Sequence, residues 1–236
     1  MARDSNPTID TMMERASEAL VGADYFKAEK LCLAALNKAR RSADFGRAAR
    51  IVMPLLESRR QLRHDACDSG IRIVLTSLPP SGKDLAPGLY LLQPPLLGID
   101  ARRLRELATA AKVPALIVCR EPLTKSGHWP VVGVGSGGLT DTLTLRARVS
   151  PPLTPEQPDA AWFVAASEAV GDAGIARVRS TDPSAWQAED LFDALDAAPD
   201  HEKLHQHLSR ACEAASREPT PHSTRRRALH DLPNSF

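Results

Sequence analysis

An α+β protein is the fold class this sequence predicts, and three observations carry the prediction. Apolar residues recur at helical spacing up to about residue 68 and again beyond about residue 159. Between these stretches the pattern changes to short β-branched runs punctuated by proline and glycine. With 236 residues, 43% hydrophobic and 25% charged, the chain can bury a substantial core and carries a formal net charge of only +1. That balance gives no overall pull towards nucleic acid or anionic lipid. No run approaches the roughly 18 apolar residues of a membrane span. The opening residues lack the apolar stretch of a signal peptide, so a cytoplasmic location is expected. Cys32, Cys67, Cys119 and Cys212 form no CxxC, which fits reduced thiols rather than bridges or a thiolate metal site.

Residues 1–68 read as a helical module. Ile9, Met12, Met13, Ala16 and Leu20 define a first helix face, and Gly22 marks its end. Asp24 is placed to cap a second helix carrying Ala28, Leu31, Cys32, Ala35, Leu36 and Ala39 on one stripe. A third helix opens at Asp44 and continues through Val52, Leu55 and Leu62, with a kink expected at Pro54. The motif Ala23-Asp24-Tyr25-x-x-Ala28, followed by Ala35-Leu36, resembles the second half of a tetratricopeptide repeat. Asp44-Phe45-x-x-Ala48 restarts it about twenty residues later rather than after the family's roughly 34. The resemblance implies closely packed antiparallel helices that bind another protein, with Tyr25, Arg47 and Arg50 as partner-facing candidates.

Residues 69–150 read as a small α/β domain. Strands are expected at Ile71 to Leu75, Leu89 to Leu92, Pro114 to Cys119, Val131 to Val134 and Leu143 to Val149. A helix capped by Asp100, with Leu104, Leu107, Ala108 and Ala111 on one face, joins the second run to the third as a right-handed βαβ unit. The last two strands are expected to join through glycine-rich residues 135–138, the final one lying at a sheet edge with one wet face. Pro151, Pro152, Pro155 and Pro158 then form a stiff linker. Residues 151–216 return to helix, opening near Asp159, Asp182 and Pro199, the first helix ending at Gly171. Residues 217–236 are polar, carry Arg225-Arg226-Arg227 and are expected to be a disordered tail.

Several motifs spell chemistry and fail in their surroundings. His201-Glu202-Lys203-Leu204-His205 has the HExxH spacing of a zinc site. Directly after Pro199, however, it falls in a first helical turn, expected to be exposed, and Lys203 sets a cation among the ligands. Gly133-x-Gly135-x-x-Gly138 has the dinucleotide-binding spelling, but a strand follows instead of a helix N-terminus aimed at a pyrophosphate. Ser81-Gly82-Lys83-Asp84 lacks the upstream glycine of a phosphate loop and puts a carboxylate where magnesium's hydroxyl ligand belongs. No metal or cofactor is expected. Cys119 beside Arg120 has the makings of a thiolate nucleophile, but no histidine base can be assigned to it.

A non-enzymatic protein-binding or scaffold role through the N-terminal helices is the leading expectation. The alternative is an α/β domain sensing a small anionic ligand or nucleotide. In open α/β sheets ligands sit beyond the carboxyl ends of the strands. On that rule the loops after the first and third strands offer Lys83, Arg120, Lys125 and His128. Arg40, Arg41, Arg47, Arg50, Arg59, Arg60 and Arg63 are read as a solvated or partner-facing helix surface, with nucleic acid not the expected partner because aromatic residues are scarce among them.

Overall fold

The computed structural model of the chain describes residues 8–122, 127–137 and 141–219. Three antiparallel helices come first: α1 (Ile9–Val21), α2 (Tyr25–Arg41) and α3 (Phe45–Asp68). Each opens on a side-chain cap, because Thr8, Asp24 and Asp44 accept a hydrogen bond from the backbone N–H three residues on. Pro54 lies within α3, which continues past it for a further 14 residues.

A mixed five-stranded sheet follows, ordered β1 (Arg72–Leu75), β2 (Gly88–Leu92), β3 (Ala115–Arg120), β4 (Trp129–Gly137) and β5 (Asp141–Val149). The first three strands run parallel and the last two antiparallel. The crossover from β2 to β3 is α4 (Gly98–Ala111). Asp100 sits at its third position rather than at its cap; its carboxylate accepts the Leu97 N–H at 2.9 Å. The C-terminal helices are α5 (Ala160–Ala176), α6 (Ser184–Ala197) and α7 (Glu202–Ala215). Helix α5 does not stop at Gly171. The helix runs through this position, which must be glycine because the His201 ring lies where a Cβ would be.

Strand alternation divides the core between two faces. Leu89, Leu91, Leu116, Val118, Val131 and Leu145 face the α1–α3 and α5–α7 helices, and these elements share one continuous apolar core. On the other face Tyr90, Leu92, Ile117, Cys119, Val132 and Val134 pack with Ala101 and Leu104 of α4. Gly135 and Gly137, expected in a β4–β5 loop, are instead inside β4, while Gly138 lies outside the described residues. Gly133 and Gly135 point at the end of α6, where an added Cβ would lie 2.5 Å from the Ala197 carbonyl oxygen and 2.7 Å from its nitrogen. Their role is to let helix backbone press onto the sheet. Among the described residues no helix is long and apolar enough to cross a membrane.

Candidate functional site

A cleft of about 760 Å³ opens at the amino-terminal end of β3, between the helical module and α4. Helical periodicity places its walls. Lys27, Lys30 and Leu33 recur every three residues on α2 and face it from one side, with Arg59, Leu62 and Arg63 of α3 beside them. Arg102, Arg105, Glu106, Ala108 and Thr109 of α4 form the opposing wall, while Ala101 and Leu104 of the same helix turn to the sheet. The α6–α7 connection closes the cleft with Asp196, Pro199 and Asp200.

Most of the charge here is already spent. Arg59 donates to Glu29 at 2.8 Å and reaches the Pro199 carbonyl at 3.3 Å. Arg63 pairs with Glu202 at 2.5 Å. Arg102 bridges Glu106 and Asp196 at 3.2 and 2.8 Å. Burial would raise the Asp196 carboxyl, but the hydroxyl and amide of Ser136, with Arg102, hold it below the usual range. What remains, among the described residues, is Lys27, Lys30, Lys112 and Arg105, whose side chains make no hydrogen bond or ion pair, and Asp200, whose carboxylate makes none either. Arg105 and Asp200 keep partial accessibility, yet burial dominates the titration of both. It lowers the guanidinium, with Asp200 opposing, and raises the carboxyl against Arg105, Arg59 and Arg63. Behind them lies a void of about 20 Å³, room for one water.

The residues of the expected strand-end site are not brought together, although β1 and β3 are parallel with β2 between them. Lys83 sits in a short 3₁₀ turn (Gly82–Asp84) packed on the carboxy-terminal half of α4. There an added Cβ on Gly82 would stand 2.7 Å from the Leu107 carbonyl oxygen. Arg120 instead lies over the Trp129 ring at 4.7 Å and donates to Gln93 at 2.7 Å. Its Nε is buried without a partner. His128 is exposed, and Lys125 lies outside the described residues, as does the tail from residue 220. Tyr25 is half-buried beside the cleft but does not line it. Arg47 is held between Asp10 and Asp44, both at 2.8 Å, and Arg50 is exposed near them.

Three further expectations are corrected. The arginines of the module are only in part a solvated surface: Arg40 binds Glu189 and Asp193 and Arg60 binds Glu202, whereas Arg41, bonded to the Asn37 carbonyl, and Arg50 are exposed. The HExxH histidines are not on an exposed turn. His201 is 1% and His205 0% exposed. His201 is the N-cap of α7, its Nδ1 accepting the Leu204 N–H at 3.0 Å, and His205 Nδ1 lies 2.9 Å from the His201 carbonyl oxygen. His205 Nε2 faces Arg59, a cation where a metal would stand. Among the described residues no group of three metal-ligating side chains forms. Burial pushes the Cys119 thiol up to about 12, with Glu121 and Asp100 adding to it and Arg120 opposing, the reverse of an activated nucleophile.

The cleft residues belong to four separate stretches of chain. Lys27 and Lys30, three apart on a helix, were the one signal available in the sequence; Arg105 and Asp200 had none. Comparisons of the chain with protein-family models, with curated proteins and with solved structures find no match.

Proposed function

We propose that this is a non-enzymatic, cytoplasmic binding protein that docks a segment of another protein between its N-terminal helices and α4. The observation that carries the reading is the cleft itself. One wall is the α2–α3 hairpin, its lining combines apolar Phe26, Leu33 and Leu62 with unpaired charge, and several of its residues are exposed along its length. The likeness of Ala23-Asp24-Tyr25-x-x-Ala28 to tetratricopeptide hairpins supports it by analogy. Four free cysteines, three of them buried, suit a reducing compartment.

The test is selection of a random-peptide library against the full chain, followed by binding to Leu33→Arg and Leu62→Arg variants that retain wild-type circular dichroism. Selected peptides that lose binding to both variants support the reading. No binders, or binders indifferent to both substitutions, overturn it. A second reading, a small anionic ligand, is favoured by the cleft volume, which lies within the range of about 300–1,000 Å³ usual for small-molecule sites. It replaces the first if a phosphorylated metabolite or nucleotide raises the melting temperature, Arg105→Ala abolishes that shift, and no peptide is selected.

A further inference from the structure

We infer that the segment received by the cleft is acidic, and that Arg105 is the anchor for one of its carboxylates. The inference rests on the docking reading above and adds the chemistry of the occupant. Pairing in the cleft is incomplete mainly on the cationic side. Glu29, Glu106 and Asp196 are each satisfied by an arginine already in place, and the Asp24 carboxylate accepts the Lys27 backbone N–H as a helix cap. The side chains left over among the described residues are four cations, Lys27, Lys30, Arg105 and Lys112, against the single carboxyl of Asp200.

Their placement favours a chain over a compact anion. Arg105 is the deep member, half-buried on α4. The three lysines are exposed on two sides of it, Lys27 and Lys30 on α2 and Lys112 at the carboxy-terminal cap of α4. A lone anion bound at Arg105 leaves the lysines without partners, whereas an extended segment with several carboxylates meets all of them. A guanidinium presents five donors in a planar fork and takes a carboxylate through two parallel hydrogen bonds, a geometry an ammonium cannot reproduce. Leu33, Leu62 and Val113 between these charges accept an apolar side chain of the same segment. Asp200 repels an arriving carboxylate, so the native site binds acidic segments with moderate rather than maximal affinity.

The test uses the same full chain and library. Selected peptides are expected to be enriched in Asp and Glu, and their binding to weaken with added salt. Arg105→Ala is expected to weaken binding about tenfold to hundredfold, with Arg105→Lys giving partial recovery. Asp200→Asn is expected to tighten it several-fold, and Arg105→Glu to turn the selection towards Lys- and Arg-containing peptides. Cleft-dependent peptides with no acidic preference, or with affinity unchanged by Arg105→Ala, overturn this inference and leave the docking reading standing. Absence of cleft-dependent peptides overturns the docking reading and this inference with it. Equal binding of free acetate and of acidic peptides also overturns the inference, because a single carboxylate group would then account for everything.

Discussion

Ala43 reproduces at the α2–α3 turn the left-handed conformation of Ala23 at the α1–α2 turn, with φ of 51° and 56°. The correspondence extends to the bonds around them. Ala23 and Ala43 N–H donate to Leu20 and Arg40, Asp24 and Asp44 N–H to Ala19 and Ala39, and each aspartate then caps the next helix. A single turn design is thus used twice at a spacing of twenty residues. An L-residue in this conformation costs about 1–2 kcal/mol, which glycine avoids while losing about 0.4–1 kcal/mol through its freer unfolded chain. Ala23→Gly and Ala43→Gly are therefore each expected to stabilise by about 0.5 kcal/mol, and Asp24→Ala to destabilise by about 1 kcal/mol. Urea unfolding of the three variants measures all of this. Destabilisation by both glycines would show that the turns are not strained.

Glycine substitutions elsewhere should carry the opposite sign. An added Cβ at Gly133 or Gly135 meets the backbone of Ala197, which cannot move without shifting the end of α6 off the sheet. Gly133→Ala is expected to cost about 3 kcal/mol, at the upper end of overpacking penalties. Gly46→Ala provides the contrast. It lies in the first turn of α3 with its nearest neighbour 3.8 Å from an added Cβ, so it should gain up to about 1 kcal/mol of helix propensity. Thermal unfolding of the pair separates the packing and propensity effects; equal shifts would remove the close approach of α6 as the reason for glycine in β4.

These glycines mark the limit of what the sequence discloses here. Strand and helix periods place the five strands and seven α-helices of the described residues, because each period is set by the face an element must bury. Which element lies over Gly135 is a tertiary fact with no local signature, so that residue reads as part of a loop. The buried histidines follow the same logic: first-turn residues are normally wet, and only the packing of His201 against Gly171 of α5 makes this turn dry. The arginines of the helical module look like a surface until Glu189, Asp193 and Glu202, well over a hundred residues away for each pair, arrive to meet them. Lys83 and Arg120 do not come together because the turn holding Lys83 packs on the carboxy-terminal half of α4, a placement not written in the strands themselves.

The two buried histidines make stability pH-dependent in a defined window. Burial lowers both, His205 to about 3 with Arg59 adding to it, and His201 with Asp172 and Glu168 opposing. Folded chains thus hold neutral rings where unfolded ones bind protons below about pH 6.5. The stability these rings contribute is complete above that value and lost as pH falls towards 3, at up to about 1.4 kcal/mol per pH unit for each histidine. Glu202, held low by Arg60, and Asp196 lose their contributions only below the ordinary carboxylate range, so neither acts between pH 5 and 6.5. Asp200, raised by burial, contributes in the opposite sense. Urea midpoints across that window should fall on acidification for the native chain. They should flatten in His201→Asn/His205→Gln, where asparagine keeps a helix cap. An unchanged slope in the double variant would assign the effect to other groups.

Thiol reactivity separates a binding protein from one that works through Cys119. A nucleophilic cysteine needs thiolate at neutral pH and access to its reagent. Burial instead pushes Cys119 and Cys212 up to about 12 and Cys32 to about 11, and all three are buried. Cys67, near the end of α3, is only half-buried, and although burial raises it too, Arg63 opposes the shift. Iodoacetamide at pH 7.5, read by peptide mass spectrometry, should therefore label Cys67 first and the other three only as the chain unfolds. Cys67→Ser should remove the fast phase without changing the slow one. Fast labelling of Cys119 in the folded protein would mean that its strand opens to solvent and that its thiol ionises there. Arg120 would then act as the partner of a thiolate rather than as the cation lying over Trp129, and a covalent chemistry would have to be sought at the carboxyl end of β3.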